Sequence, residues 1–104
     1  MPWIEACDAE DVDSEDVIRF DHAGRTYAIY LTDEGEVFCT AGLCSHEAAH
    51  LAGGILEGTL IECPKHGGLF DIRDGVARGA PACVAIQTYP ARHSGGKIEI
   101  DLPD

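Results

Sequence analysis

The strongest chemical signal in the chain comes from two short segments, Cys44-Ser45-His46 and Cys63-Pro64-Lys65-His66, with sixteen residues between them. Each offers one soft thiolate and one imidazole. That donor set suits iron–sulfur or zinc chemistry and does not suit calcium or magnesium. A structural zinc ion would take all four donors in one closed tetrahedron, and zinc sites tend to group Cys with Cys and His with His. Here each segment is mixed, and the first pair is separated by a single residue. In a two-iron cluster with two thiolates on one iron and two imidazoles on the other, each segment serves both irons, so mixed pairs fit.

A rival overlaps the first segment. His46-Glu47-Ala48-Ala49-His50 matches the helical zinc-protease pattern of two His four apart with Glu after the first. That pattern needs a long helix, yet Gly53-Gly54 follows closely, and a chain of 104 residues has no second domain to form a substrate cleft. His50 is therefore read as a solvent-exposed or hydrogen-bonded loop residue. Cys7, Cys39 and Cys83 read as small buried apolar residues. Cys83, beside Pro81, is expected near the metal segments without ligating. His22 and His93 read as surface residues, and Trp3 and Tyr89 as core anchors.

The elements that must position these donors look like strands. No segment sustains a helical period over three turns, whereas short apolar stretches recur between turn signals. Residues 17–20 and 25–31 flank Asp21-His22-Ala23-Gly24 as a hairpin, and Thr32-Asp33-Glu34-Gly35 leads into a strand at 36–40. Further strands are predicted at 59–62, 69–72, 76–77 and 84–92, with Asp74-Gly75 as a tight turn. In 97–102, Ile98, Ile100 and Leu102 alternate with Lys97, Glu99 and Asp101, which describes a strand with one buried face. The six carboxylates of 8–16 predict a solvated loop with a frayed helical turn. The middle third, about 41–71, is rich in Gly, Cys and His and reads as a loop-built insert on an all-β scaffold.

Length predicts one core and one domain over 1–104. No stretch approaches the roughly 20 apolar residues that span a bilayer, and the first residues have neither a basic nor an apolar leader region. A cytoplasmic location is expected. An odd count of five cysteines also favours ligands and spare thiols over a disulfide framework. Nineteen Asp and Glu against seven Lys and Arg give a net charge of -12, which repels nucleic acid and anionic membrane and favours basic protein partners.

Taken together, Cys44, His46, Cys63, Pro64, His66 and Gly67, followed by Phe70-Asp71, Asp74-Gly75 and Ala80-Pro81, resemble the Rieske iron–sulfur signature over nearly the whole chain. The pattern is most similar to the short bacterial ferredoxins of ring-hydroxylating oxygenase systems. The resemblance implies a Rieske fold of three antiparallel sheets, with a cluster-binding subdomain at about 41–82 whose two loops clasp one [2Fe–2S] cluster through Cys44, His46, Cys63 and His66. It also implies a third loop at Ala80-Pro81 covering the cluster. Gly67 and Gly68 would let backbone N–H groups approach the sulfides. Respiratory Rieske subunits add a disulfide between the two loops. Ala49 and Lys65 stand at those positions here, and Gly68 stands where a serine would bond a sulfide. Fewer hydrogen bonds to sulfur imply a low potential, on the order of −150 mV.

The function implied is that of a soluble one-electron carrier, not itself an enzyme, working as a monomer. It would run between a flavin-dependent NAD(P)H reductase and a terminal oxygenase with basic docking surfaces. Two alternatives are carried. One is a small subunit of a nitrite reductase-type enzyme, several of which resemble Rieske domains but lack the ligands present here. The other is a zinc-stabilised interaction module.

Overall fold

The computed structural model describes residues 3–45, 49–65, 67–80 and 84–102. Its elements are β1 (Trp3–Asp8), β2 (Asp16–His22), β3 (Arg25–Leu31), β4 (Val37–Ala41), β5 (Ile55–Glu57), β6 (Leu60–Glu62), β7 (Leu69–Asp71), β8 (Ala77–Gly79), β9 (Thr88–Tyr89), β10 (Ala91–Ser94) and β11 (Lys97–Asp101). Two single turns of 3-10 helix, Ala9–Asp11 and Leu51–Gly53, complete the list among the described residues. The strands form three sheets with orders β1-β11-β10, β2-β3-β4-β9 and β5-β6-β7-β8, and all the strand pairs are antiparallel. The all-β expectation is thus met, with three antiparallel sheets.

The first hairpin forms where expected. Ala23 and Gly24 both have positive φ, +51° and +79°, which is the two-residue turn whose twist matches the flanking strands. The strand at the C-terminus also follows its pattern, with Ile98 and Ile100 fully buried, although Asp101 is buried as well. The acidic segment contains the expected helical turn at Ala9–Asp11, beyond which Val12 is tucked into the core. Two strands escaped prediction for local reasons. A register shift between Glu5 and Cys7 breaks the alternation of β1, and β5 buries only Leu56 of its three residues, too few to show a period. The last strand of the third sheet begins at Ala77, because the Val76 carbonyl closes the preceding turn on Asp71 N–H at 2.9 Å.

The single strand expected over 84–92 is replaced by a seam that sews all three sheets together. Ile86 N–H bonds the Gly75 carbonyl in the turn between β7 and β8, Ala41 N–H of β4 bonds the Gln87 carbonyl, and Asp101 N–H of β11 bonds the Pro90 carbonyl. Ala41 and Asp101 belong to two different sheets and Gly75 to a turn of the third. Pro90, with no N–H of its own, marks the break between β9 and β10.

Two apolar clusters fill the molecule. Tyr27, Ile29, Cys39, Ile98, Ile100 and Leu102 pack between the first and second sheets. Ala28, Tyr30, Cys44, Leu51, Ile61, Cys63 and Phe70 pack between the second and third. Successive residues of β3 thus point into opposite cores, as strand geometry requires. The register also sorts charge. Asp16 pairs with Leu31, which pairs with Val37, so the segments 8–16 and 32–36 share one end of the central sheet. Nine carboxylates gather there: Asp8, Glu10, Asp11, Asp13, Glu15, Asp16, Asp33, Glu34 and Glu36. The opposite end, where Tyr27 pairs with Ala41, launches the first cysteine segment.

Candidate metal centre

The first cysteine segment leaves β4 through a neck that backbone bonds close tightly. Gly42 N–H bonds Thr26 O at 3.0 Å, Leu51 N–H bonds Gly42 O at 2.8 Å, and Cys44 N–H bonds Ala49 O at 2.9 Å. Leu43 and His50 form an antiparallel bridge across the neck. Position 42 has no room for a side chain, since a Cβ there would lie 2.6 Å from His50 Nε2 and 3.0 Å from backbone atoms of Thr26 and Tyr27. The second segment leaves β6 at Glu62 and turns back into β7. Cys63 N–H bonds Gly68 O at 2.8 Å, and Gly67, with φ of +74°, donates its N–H to Cys63 O at 3.1 Å. That amide is thereby committed to the turn.

Two loops from different sheets therefore place Cys44 and Cys63 in one buried apolar cluster, 5% and 3% exposed. This fits a group that takes a thiolate from each, because metal bonding removes the cost of burying the sulfur charge. The predicted imidazole donors His46 and His66, and Pro81 and Cys83 of the third loop, lie outside the described residues. The exit from the third loop is described. Val84 O accepts a hydrogen bond from the Ser45 hydroxyl, which links it to the first loop.

His50 is not available as a metal ligand. Its Nδ1 accepts from Ala52 N–H at 3.0 Å, capping the turn Leu51–Gly53, and its Nε2 lies 2.8 Å from the Thr26 hydroxyl. With both ring nitrogens committed and a single 3-10 turn following, the helical His-Glu-x-x-His zinc reading fails. Of the other described thiols, Cys39 is buried as expected, whereas Cys7 is only partly buried. Burial pushes Cys39 up to about 12, and Cys7 is raised by burial and then by Asp11 and Asp8, so both stay protonated. Tyr89 packs edge-on against Tyr27 with centroids 5.1 Å apart, and Trp3 carries the Arg92 guanidinium over its ring at 4.0 Å.

One supporting residue went unnoticed in the sequence beyond its place after Phe70. Asp71 is 2% exposed at the end of β7 and accepts from Arg73 N, Nε and Nη2 at 3.0, 3.0 and 2.8 Å, with Arg78 Nε at 3.9 Å. The Arg73 guanidinium beside it holds its carboxyl below the ordinary value of 3.8. Its carbonyl accepts from Gly75 N–H at 2.7 Å, which fixes the turn into β8. The run Asp71-Ile72-Arg73-Asp74-Gly75 carried a signal, an acid two residues before a base at a turn.

A profile of the Rieske [2Fe–2S] domain family matches residues 2–90, and the chain belongs to that family. It carries one Rieske-type [2Fe–2S] cluster. The ferredoxin component of the naphthalene 1,2-dioxygenase system of Pseudomonas aeruginosa is 41% identical over 100 residues, 96% of this chain and 95% of that one. Among solved structures, the Sphingomonas yanoikuyae B1 ferredoxin matches with a TM-score of 0.90 at 38% identity, covering 98% of this chain and 100% of that chain. A chain in the complex of reduced oxygenase and oxidized ferredoxin in carbazole 1,9a-dioxygenase matches with a TM-score of 0.86 at 29% identity, covering 94% and 91%.

Proposed function

We propose that the chain is a soluble, cytoplasmic one-electron carrier that takes electrons from a flavin-dependent NAD(P)H reductase and delivers them to a terminal oxygenase. Its cluster is held by Cys44, His46, Cys63 and His66, within a subdomain at about 41–82. The observation that carries this reading is the pair of buried cysteines, Cys44 and Cys63, at the necks of two tied loops within one apolar cluster.

When bound, the cluster supplies a centre that accepts and releases one electron. The residues set where and how easily this happens. Two buried thiolates keep one iron electron-rich, and neutral imidazoles from His46 and His66 bring less negative charge to the other, raising its potential above that of an all-thiolate centre. Leu43 and Val84 are 43% and 60% exposed beside Cys44 and Ser45, and form an uncharged rim for contact with the oxygenase. The carboxylates concentrated at the far end of the central sheet act at longer range. They attract basic partner surfaces, so transfer should slow as salt rises.

The test is the electron paramagnetic resonance spectrum of the dithionite-reduced protein, read beside iron, sulfide and zinc content. A rhombic signal with couplings from two nitrogens, and equal iron and sulfide, is expected. A zinc-loaded, silent protein would overturn the reading and favour the interaction module. Loss of the signal's nitrogen couplings in His46→Ala and His66→Ala assigns those two ligands.

A further inference from the structure

The contacts around His50 fix where its ring carries a proton. Arg19 Nε donates to both oxygens of Asp21 at 3.1 and 3.2 Å. Asp21 lies directly across the β2–β3 hairpin from Thr26, and Thr26 and Arg19 hold its carboxyl below the ordinary value. The Thr26 hydroxyl can turn its own proton elsewhere, so its oxygen is able to accept from His50 Nε2–H at 2.8 Å. At the other ring nitrogen an amide N–H can only donate, so Nδ1 is the bare acceptor for Ala52. Both ring contacts then agree on one tautomer, neutral with the proton on Nε2.

The place of His50 in the fold gives these contacts a use. His50 bridges Leu43 immediately before Cys44 and caps the turn that plants Leu51 in the shared core. Gly42, opposite, is kept bare by the His50 ring itself. We propose that His50 is the positioning residue of the first cluster loop, latching its neck to the β2–β3 hairpin through Thr26. This rests on the reading that residues 44–46 hold the cluster.

The latch works only with a neutral ring. A proton on Nδ1 would set one N–H against another and break the cap over Leu51–Gly53. The charged groups acting on the ring are Arg19 and Asp21 of β2. Burial first, then Arg19, lower the affinity of His50 for a proton below its ordinary 6.5, while Asp21 opposes them. A folded value below the unfolded one means the latch stabilises fully above 6.5 and weakens as pH falls from there through the lower folded value.

The experiment uses cluster-loaded wild type, His50→Ala, His50→Asn and Thr26→Val, comparing Ala52 amide exchange and cluster release followed by visible absorbance. In His50→Ala, Ala52 exchange and cluster release are expected to quicken about tenfold, the size of a lost cap and tie. Asn, a good N-cap that cannot titrate, should restore Ala52 protection to within about threefold of wild type, and Thr26→Val should fall between. Between about pH 7.5 and 5.5, release from wild type should accelerate more than release from His50→Asn, since acid routes common to both cancel in the comparison. Unchanged Ala52 exchange in His50→Ala, or equal pH profiles in wild type and His50→Asn, would overturn the latch and leave the cluster reading standing. A wild type that loads no iron and sulfide would instead overturn the cluster reading, and with it the role given to the loop, even if Ala52 stayed protected.

Discussion

The first two sheets and the third hold themselves together by different means. Within the second sheet β2–β3 pairs over seven positions, and between it and the first sheet Ile29, Ile98 and Ile100 are fully buried among Tyr27, Cys39 and Leu102. The third sheet is built from strands of three residues each. Its geometry rests on point contacts: Gly54 and Gly75 at close backbone approaches, the Asp71–Arg73 pair, and the tied neck of the second loop. Short ladders contribute little alone, so this region should draw much of its order from the cluster while the larger sheets do not.

The largest effect that would test this contrast comes from the proposed ligands. Cys44→Ser or Cys63→Ser should leave the purified protein with almost no cluster. Hydrogen exchange should then quicken by about a hundredfold or more in β5 to β8 while β2, β3 and β11 keep their protection. Equal loss of protection across all three sheets would show one cooperative unit and remove the contrast.

Next in size is a cavity in the other region. Ile98→Ala should cost about 4 kcal/mol in denaturant unfolding, by the usual cost of emptying a buried aliphatic site. The folded fraction should keep an unchanged paramagnetic spectrum, because Ile98 lies in the cluster of side chains without Cys44 or Cys63. Gly75→Ala should cost about 3 kcal/mol and act in the opposite way. Its Cβ would sit 2.0 Å from the Ile86 carbonyl at a φ of +79°, forcing apart the seam that carries the third loop. Faster cluster release is therefore expected from Gly75→Ala and not from Ile98→Ala.

Asp71→Asn comes next, at about 2 kcal/mol, for the charge-assisted bonds lost at a buried site, with Arg73 itself exposed enough to be screened. Its pH signature is separate from that of His50. The folded carboxyl titrates below the ordinary 3.8, so its stabilisation is complete above 3.8 and is lost as pH falls through the lower folded value. The variant should flatten that acid limb in thermal melts and leave behaviour near neutrality unchanged.

The two regions also differed in how legible they were. Strands of the large sheets announced themselves through Ile98, Ile100 and Leu102 or through the hairpin around Ala23-Gly24, because a half-buried ladder writes its period into the sequence. The candidate donors were legible for another reason, their chemical type and spacing. What lay between was not. A three-residue strand has no period to read, and the bulge in β1 erased one that existed. The segment 84–92 looks like a strand because it is apolar, but its backbone is shared among three sheets, a tertiary fact with no local trace. His50 was read as an exposed or hydrogen-bonded loop residue. Its partner Thr26 lies more than twenty positions away, so only the fold brings the bond into view.

The smallest effect probes a strain that lies in the large sheets. Ala23 holds a φ of +51° at the first position of the β2–β3 turn, where a Cβ meets steric resistance and glycine does not. Ala23→Gly removes that resistance but frees the unfolded chain, two terms of similar size and opposite sign. In this left-handed conformation the first should win, stabilising by about 0.5 kcal/mol in denaturant unfolding. Because His50 is anchored on the same hairpin at Thr26, the variant also asks whether the turn or the ladder holds that anchor. Seven paired positions should suffice, so Ala52 exchange and the pH dependence of cluster release are expected to match wild type. A change in either would mean that the turn reaches the cluster loop, and that the division between the two regions is less sharp than their strand lengths suggest.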